Sequence, residues 1–314
     1  MTECRRPGRR CALARPCLRD DRTTQTPYAC AMPANLYALG AIALWISLAS
    51  LGVSLKHIPP FLLTGMALLM GSLLALPLVL KDRQLWKVPA RTFVMGIYGL
   101  FGYHFLLFIA LRHAPPVEAN LVNYLWPLLM VVLAPLFLPG VRLRVLHVIA
   151  ALLGFAGAAI AILGADQGLA GGSGAHGWSW GYLPALGAAL IWASYSLLTR
   201  RVPAFPTAAI GLFGMVSGLL SLLCHFLLEP QVALSGQDWL LLAVTGLGPL
   251  GAAFFLWDKA LKSGDVRQIG ILSYLTPLGS TALLLVVSGR ALTTSIAVAA
   301  LLILGAAVLG TRSR

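Results

Sequence analysis

Ten stretches of this chain, approximately 36–55, 60–80, 92–111, 117–138, 145–164, 178–199, 206–228, 238–258, 266–288 and 292–311, are almost wholly apolar. A run of about 18 or more such residues crosses the roughly 30 Å hydrocarbon layer as a helix. Hydrocarbon offers no partner to a backbone N–H or C=O, so each segment must satisfy its hydrogen bonds internally. The expected fold class is therefore an all-α integral membrane protein of ten transmembrane helices. Composition agrees: 59% of the residues are hydrophobic and 11% are charged, where a soluble chain carries about a quarter. A water-soluble domain is excluded.

The formal charge of +13 would in a soluble protein suggest an anionic partner such as nucleic acid. Its distribution says otherwise. With the N-terminus inside, 20 of the 23 Lys and Arg fall on the inner side, and only Lys56, Arg112 and Arg290 fall outside. Basic residues in short loops set orientation. Both termini are expected in the cytoplasm of a multi-pass inner-membrane protein, with the lipid bilayer as partner and no nucleic acid.

Residues 1–33 hold seven Arg and four Cys and lack the apolar core of a signal peptide. They read as a basic disordered tail, or as sequence upstream of a natural start at Met32. The irregular spacing of Cys4, Cys11, Cys17 and Cys30, with no His beside them, does not suit zinc. No metal or cofactor is expected. Cys224 lies in an apolar run and reads as a packing residue.

Residues 96–128 resemble residues 246–278 at a constant shift. Identities include Gly96/Gly246, Leu100/Leu250, Phe105/Phe255, Tyr124/Tyr274, Leu125/Leu275 and Pro127/Pro277. Leu39-Gly40-Ala41 and Trp45 likewise match Leu186-Gly187-Ala188 and Trp192. The chain is thus read as two repeats of five helices, 34–165 and 178–311, joined by a linker at 166–177. Five is odd, so the second repeat crosses the membrane upside down. Inverted repeats are characteristic of secondary transporters, whose site lies near the bilayer midplane between the repeats. Pro127 and Pro277 fall inside helices 4 and 9, where a missing N–H favours a kink. They are candidate hinges. Gly96, Gly99 and Gly102, and the pair Gly214 and Gly218, are expected to let helices approach closely.

Polar and aromatic side chains within the runs are the site candidates. Asn120, Asn123 and Trp126 are three apart and share a helix face. Two Asn in a span need partners. They serve either as helix–helix contacts or as a pocket, with amide donors for a carboxylate and an indole for an ammonium or an aromatic ring. Tyr103 and His104 on helix 3 lie at about the depth of Asn123 and Tyr124, roughly 10 Å below the outer surface. Trp45, Trp192, Tyr195, Ser273 and Tyr274 complete the substrate-binding candidates. Trp86, Trp178, Trp180 and Trp239 sit at run ends and fit the interfacial belt. Glu118, after Pro115-Pro116, suits helix initiation or, with His104, proton coupling. Asp258 and Lys262 are four apart and read as an ordinary ion pair.

Enzyme signatures are poor. There is no His-Glu-x-x-His and no Cys-x-x-Cys, and Gly171-Gly172-Ser173-Gly174 is better read as a flexible linker than as a protease motif. No phosphate-cradling loop points to an ATP-driven pump. A membrane enzyme or assembly factor would leave the inverted repeat without a purpose.

These features together resemble the drug/metabolite transporter superfamily with paired EamA-type domains. The stretch Val117-Glu118-Ala119-Asn120-Leu121-Val122-Asn123-Tyr124-Leu125-Trp126-Pro127 is similar to its YddG-type branch of bacterial aromatic-amino-acid exporters. There an Asn-Tyr-Leu-Trp-Pro run on helix 4 follows an acidic residue. The resemblance covers about residues 34–311. It implies a monomeric exporter with a central cavity lined by Asn123, Tyr124 and Trp126, moving aromatic and other neutral amino acids outward. Other amphipathic metabolites or drugs are the rival cargo, and downhill export and proton coupling remain equally open. The helix-9 copy reads Ser273-Tyr274-Leu275-Thr276-Pro277 and lacks the Asn and Trp, so the site is expected to be biased toward the first repeat.

Overall fold

The computed structural model describes residues 33–169, 179–287 and 294–312. The basic tail with its four cysteines and Met32, the Gly171–Gly174 stretch, Trp178 and Arg290 lie outside the described residues.

Among the described residues the fold is all-helical. Ten apolar helices follow one another: α1 Ala34–Ser54, α2 Pro60–Lys81, α3 Ala90–His113, α4 Glu118–Phe137, α5 Val145–Leu163, α6 Tyr182–Leu198, α7 Ala209–Leu228, α8 Gly236–Ser263, α9 Val266–Val287 and α10 Thr294–Gly310. Eight are long and apolar enough to cross a membrane, and α6 is shorter than the run that announced it. The entry to α6 is set by a close crossing. The Ser179 hydroxyl donates to the His113 carbonyl, and a Cβ on Gly181 would lie 2.6 Å from the His113 carbonyl carbon. Helix geometry begins only at Tyr182.

Helices five apart in the chain pack directly, α2 on α7, α4 on α9 and α5 on α10. Other contacts come in matched pairs: α1 on α8 corresponds to α6 on α3, and α4 on α6 to α9 on α1. Local irregularities repeat too. α3 opens into one wide π turn at Tyr98–Gly102 and α8 does so at Gly248–Ala252. α4 breaks at Tyr124–Leu125 and α9 at Ser273–Tyr274.

Those breaks place the two prolines differently from a simple mid-helix kink. Pro127 is second in the segment Trp126–Phe137, and Pro277 third in Leu275–Val287. Each leaves the carbonyl four residues earlier, on Asn123 or Ser273, without its helical donor. The helix therefore interrupts just before the proline.

Small residues set the close approaches. A Cβ on Gly218 would sit 2.9 Å from the Gly65 carbonyl oxygen across the α2–α7 contact. Gly96 abuts the Phe213 ring and Gly99 the Tyr195 ring. Any side chain there would push the helices apart.

Charged groups cluster at the two ends. At the end carrying the basic loops, Arg267 Nη1 donates to the Arg142 carbonyl at 2.8 Å and Arg200 Nη1 to the Gly264 carbonyl at 2.6 Å. The expected Asp258–Lys262 pair is present at 2.6 Å, but it is not an ordinary surface pair. Asp258 is buried and also accepts from the Thr207 hydroxyl at 2.6 Å. At the opposite end the buried Glu229 carboxylate accepts from Arg112 at 2.6 Å and lies 3.0 Å from His225 Nδ1. It also accepts the amides of Phe61 and Leu62 at 3.0 and 3.2 Å. It thus caps the start of α2 from the end of α7. Trp180 and Trp239 are exposed, whereas Trp86 donates its indole N–H to the Ala208 carbonyl at 3.0 Å and is as much an anchor as a belt residue.

Candidate functional site

A cavity of about 800 Å³ opens among α1, α2, α3, α4 and α9, toward the end opposite the basic loops. Its walls include Lys56, Leu111 and Pro116 near the mouth, and Tyr103, His104, Asn120, Asn123, Tyr124 and Trp126 deeper in. Phe254, Thr276, Pro277 and Thr281 close the other side.

The floor is aromatic. Trp45 lies 6.0 Å from Trp192 and 5.1 Å from Trp257, ring centre to ring centre. Trp126 lies 6.4 Å from Trp192 and 5.7 Å from Trp257. Most of these pairs meet edge-on or tilted, the arrangements that ring quadrupoles favour. The four indoles come from α1, α4, α6 and α8, so the floor can exist only when helices of both repeats are assembled.

Two cavity side chains are fixed by the wide π turns. Trp45 donates its indole N–H to the Pro249 carbonyl at 3.1 Å, inside the wide turn of α8. His104 Nδ1 lies 2.6 Å from the Leu100 carbonyl, inside the wide turn of α3. A carbonyl only accepts, so Nδ1 carries the hydrogen and the neutral ring keeps a lone pair on Nε2. Tyr103 packs 5.2 Å from Trp192, and its hydroxyl accepts from Asn123 Nδ2 at 3.2 Å. Asn123 is buried, and its Oδ1 has no hydrogen-bond partner. Thr276 Oγ1, also in the wall, is in the same condition. Buried polar atoms of this kind call for an explanation, and an occupant of the cavity supplies one.

Of the ten expected substrate-binding residues, Trp45, Tyr103, His104, Asn123, Tyr124, Trp126 and Trp192 line the cavity. Tyr195, Ser273 and Tyr274 do not. Tyr195 is buried behind Trp192, 5.4 Å from it, and fills the space left by Gly99. Ser273 turns its hydroxyl back to the Gly270 carbonyl at 2.5 Å. Tyr274 packs with Ala158 and Ile303 against Gly154, away from the cavity. The break in α9 falls at the Ser273–Tyr274 pair itself and aims Thr276 and Pro277 inward instead. Glu118 is half-buried at the start of α4 and is absent from the cavity wall, unlike its suggested coupling partner His104.

Phe254 in the cavity wall and Trp257, packed against Trp45 and Trp126, were not legible in the sequence. Trp257 stands close to the end of an apolar run, where the belt rule applies, and its counterpart in the first repeat is Leu107. Only the aromatic content of α8 hinted at it.

Comparison with known proteins agrees with this architecture. The model of the EamA-like transporter family matches residues 32–163 and again 179–312. The chain is 45% identical over 286 residues to a protein of Ancylobacter novellus named aromatic amino acid exporter YddG, covering 88% of this chain and 96% of the relative. A Salmonella typhimurium protein of the same name is 31% identical over 263 residues, 80% of this chain and 87% of the relative. A solved structure with 41% identity superposes with a TM-score of 0.80 over 89% of this chain and 96% of its own. Two family matches of almost equal length, one on each set of five helices, account for the repeated π turns and helix breaks. The chain belongs to the EamA-like transporter family, a family of membrane transporters rather than enzymes.

Proposed function

We propose that this protein exports aromatic and other neutral amino acids across the bacterial inner membrane by alternating access. In this reading all ten helices span the bilayer, both termini are cytoplasmic and the protein works as a monomer. With 17 residues in α6 and 19 in the helix that begins at Thr294, both remain within the span range of about 17–25 residues, and the excess of Lys and Arg on one side orients the bundle.

The observation that carries the substrate class is the floor of four indoles beneath a wall holding one free amide oxygen. An aromatic side chain against Trp45, Trp126 and Trp192 buries large apolar area. Asn123 Oδ1 is an acceptor, so it suits the substrate's ammonium. This adds an acceptor role to the donor role first expected of the amide, which spends one of its two N–H groups on Tyr103. Relatives named for aromatic amino acid export support the same cargo. The apolar remainder of the wall also favours a second cargo class, other amphipathic metabolites or drugs.

The floor separates the cavity from the basic end, so the conformation is open to the outside. Passage requires the floor to part and the basic end to open. The paired interruptions before Pro127 and Pro277 are the proposed hinges. Downhill export and proton coupling through His104 are both compatible with this arrangement. Uptake of labelled Phe, Trp, Thr and a cationic dye into vesicles containing the purified protein separates these cargoes. Flux of the dye without any amino acid would overturn the reading.

A further inference from the structure

A second cavity, of about 820 Å³, lies at the basic end, among the start of α1, the α4–α5, α6–α7 and α8–α9 loops and the end of α10. Its lining includes Asn35, His147, Arg200, Asp265, Arg267 and Gln268. The inverted repeat gives this cavity a meaning. Arg200 occupies the repeat position of Val53, and Val266 that of Pro116, and Val53 and Pro116 both line the outer cavity. The basic-end cavity is therefore the counterpart of the outer mouth, and it is the space that alternating access would enlarge.

The two mouths differ in chemistry. Where the first repeat has Val53, Pro115 and Val117, the second has Arg200, Asp265 and Arg267. Asp265 and Arg267 satisfy each other in a two-point ion pair, at 3.0 and 2.6 Å. Arg200 does not share in that pair. It spends Nη1 on the Gly264 carbonyl, and a guanidinium has five donors. His147 also lines the cavity. It is 3% exposed, and its Nδ1 has no hydrogen-bond partner. A buried, unpartnered ring nitrogen and an exposed guanidinium lining one cavity make an arrangement that a carboxylate completes.

We propose that this cavity is a loading site that receives the carboxylate of an outgoing amino acid, with Arg200 and His147 as its recognising groups. The inference rests on the transport reading above and deepens it. The cytoplasmic mouth selects for the charged head group, and the outer cavity with its indole floor selects for the side chain. Such a site favours capture on the inner side, where a guanidinium and a ring nitrogen line one cavity, whereas the outer mouth offers a carboxylate only the point charge of Lys56.

The test uses everted and right-side-out membrane vesicles containing the full chain, with labelled phenylalanine. Arg200→Gln and His147→Asn should each raise KM in everted vesicles, by about tenfold for the arginine, and leave KM in right-side-out vesicles within about twofold. Competition separates recognition from a merely structural role. In everted wild-type vesicles 3-phenylpropionate, which keeps only the carboxylate, should compete better than phenethylamine, and Arg200→Gln should abolish that preference while Arg200→Lys keeps it. Normal wild-type flux with unchanged KM and unchanged competition in both variants would overturn the loading site alone. No phenylalanine flux in the wild type would overturn the transport reading and the loading site with it.

Discussion

Asn123 donates its side-chain amide to the Tyr103 hydroxyl at 3.2 Å, and this single bond decides which end of Asn123 faces the cavity unpaired. Helix 3 and helix 4 are thereby joined at the level of the indole floor, and Asn123 Oδ1 is left without a hydrogen-bond partner, the acceptor proposed for the substrate ammonium. Asn123→Ala removes the acceptor and the tie. Hydrogen bonds to a charged group contribute about 1.5–3 kcal/mol, so KM for phenylalanine should rise by about tenfold to a hundredfold while membrane insertion stays normal. An unchanged KM would remove Asn123 from the site.

Trp126 forms one quarter of the floor, and its ring is reachable from the cavity. Trp126→Ala should weaken flux of tryptophan and phenylalanine more than flux of threonine, because only the aromatic cargo uses the indole surface. Equal losses for all three substrates, or no loss, would argue that Trp126 only packs.

Trp257, the one floor indole that does not line the cavity, is 1% exposed and donates its N–H to the Ser196 hydroxyl at 3.3 Å. Its truncation to Ala should cost about 3–5 kcal/mol, as for other buried aromatics, and lower the melting temperature of the detergent-solubilised protein. Trp257→Phe should recover most of that loss. A melting temperature unaffected by Trp257→Ala would contradict the packing described for α8.

Pro127 and Pro277 each follow a break in their helix. The double replacement by Ala restores the missing N–H groups and favours two continuous helices. Transport should slow several-fold with insertion intact, and a rate equal to wild type would exclude the hinge role.

The Glu229 carboxylate ties α2, α3 and α7 together through Arg112, His225 and two backbone amides. Glu229→Gln leaves Arg112 without its counter-charge. The Arg112 side chain is 36% exposed, so its lost counter-charge costs little. The cost sits at the buried carboxylate, because Gln has a single oxygen for the two backbone amides, and a buried group left without its partner costs about 1–3 kcal/mol. Folded yield and melting temperature should fall, and adding Arg112→Gln should change them little further. A double variant restored to wild-type stability would place the cost in the unpaired cation instead.

Much of the fold was legible because span length and loop charge are set by the bilayer, a constraint each segment meets on its own. The repeat was legible because Tyr124-Leu125-x-Pro127 and Tyr274-Leu275-x-Pro277 survive in both halves. The cavity wall was legible in the first repeat, where two helix turns carry Asn120, Asn123 and Trp126. It failed in the second. Tyr274 and Tyr124 share a repeat position, but the break in α9 falls one residue earlier in the repeat than the break in α4. The outer cavity is not shared equally by the two halves, and Tyr274 turns into the α5–α10 packing. Trp257 was hidden because no local pattern distinguishes an indole under a cavity from one at a lipid interface. Glu229 was hidden for a similar reason, since its partners Arg112, Phe61 and Leu62 lie more than a hundred residues away.

The most direct test of the central claim is the initial rate of labelled phenylalanine and tryptophan uptake into everted vesicles containing the protein, compared with vesicles lacking it. The account predicts saturable uptake of both, inhibited by each other and reduced by Trp126→Ala. Uptake of neither amino acid above the protein-free background, in vesicles where the protein is inserted and folded, would contradict it.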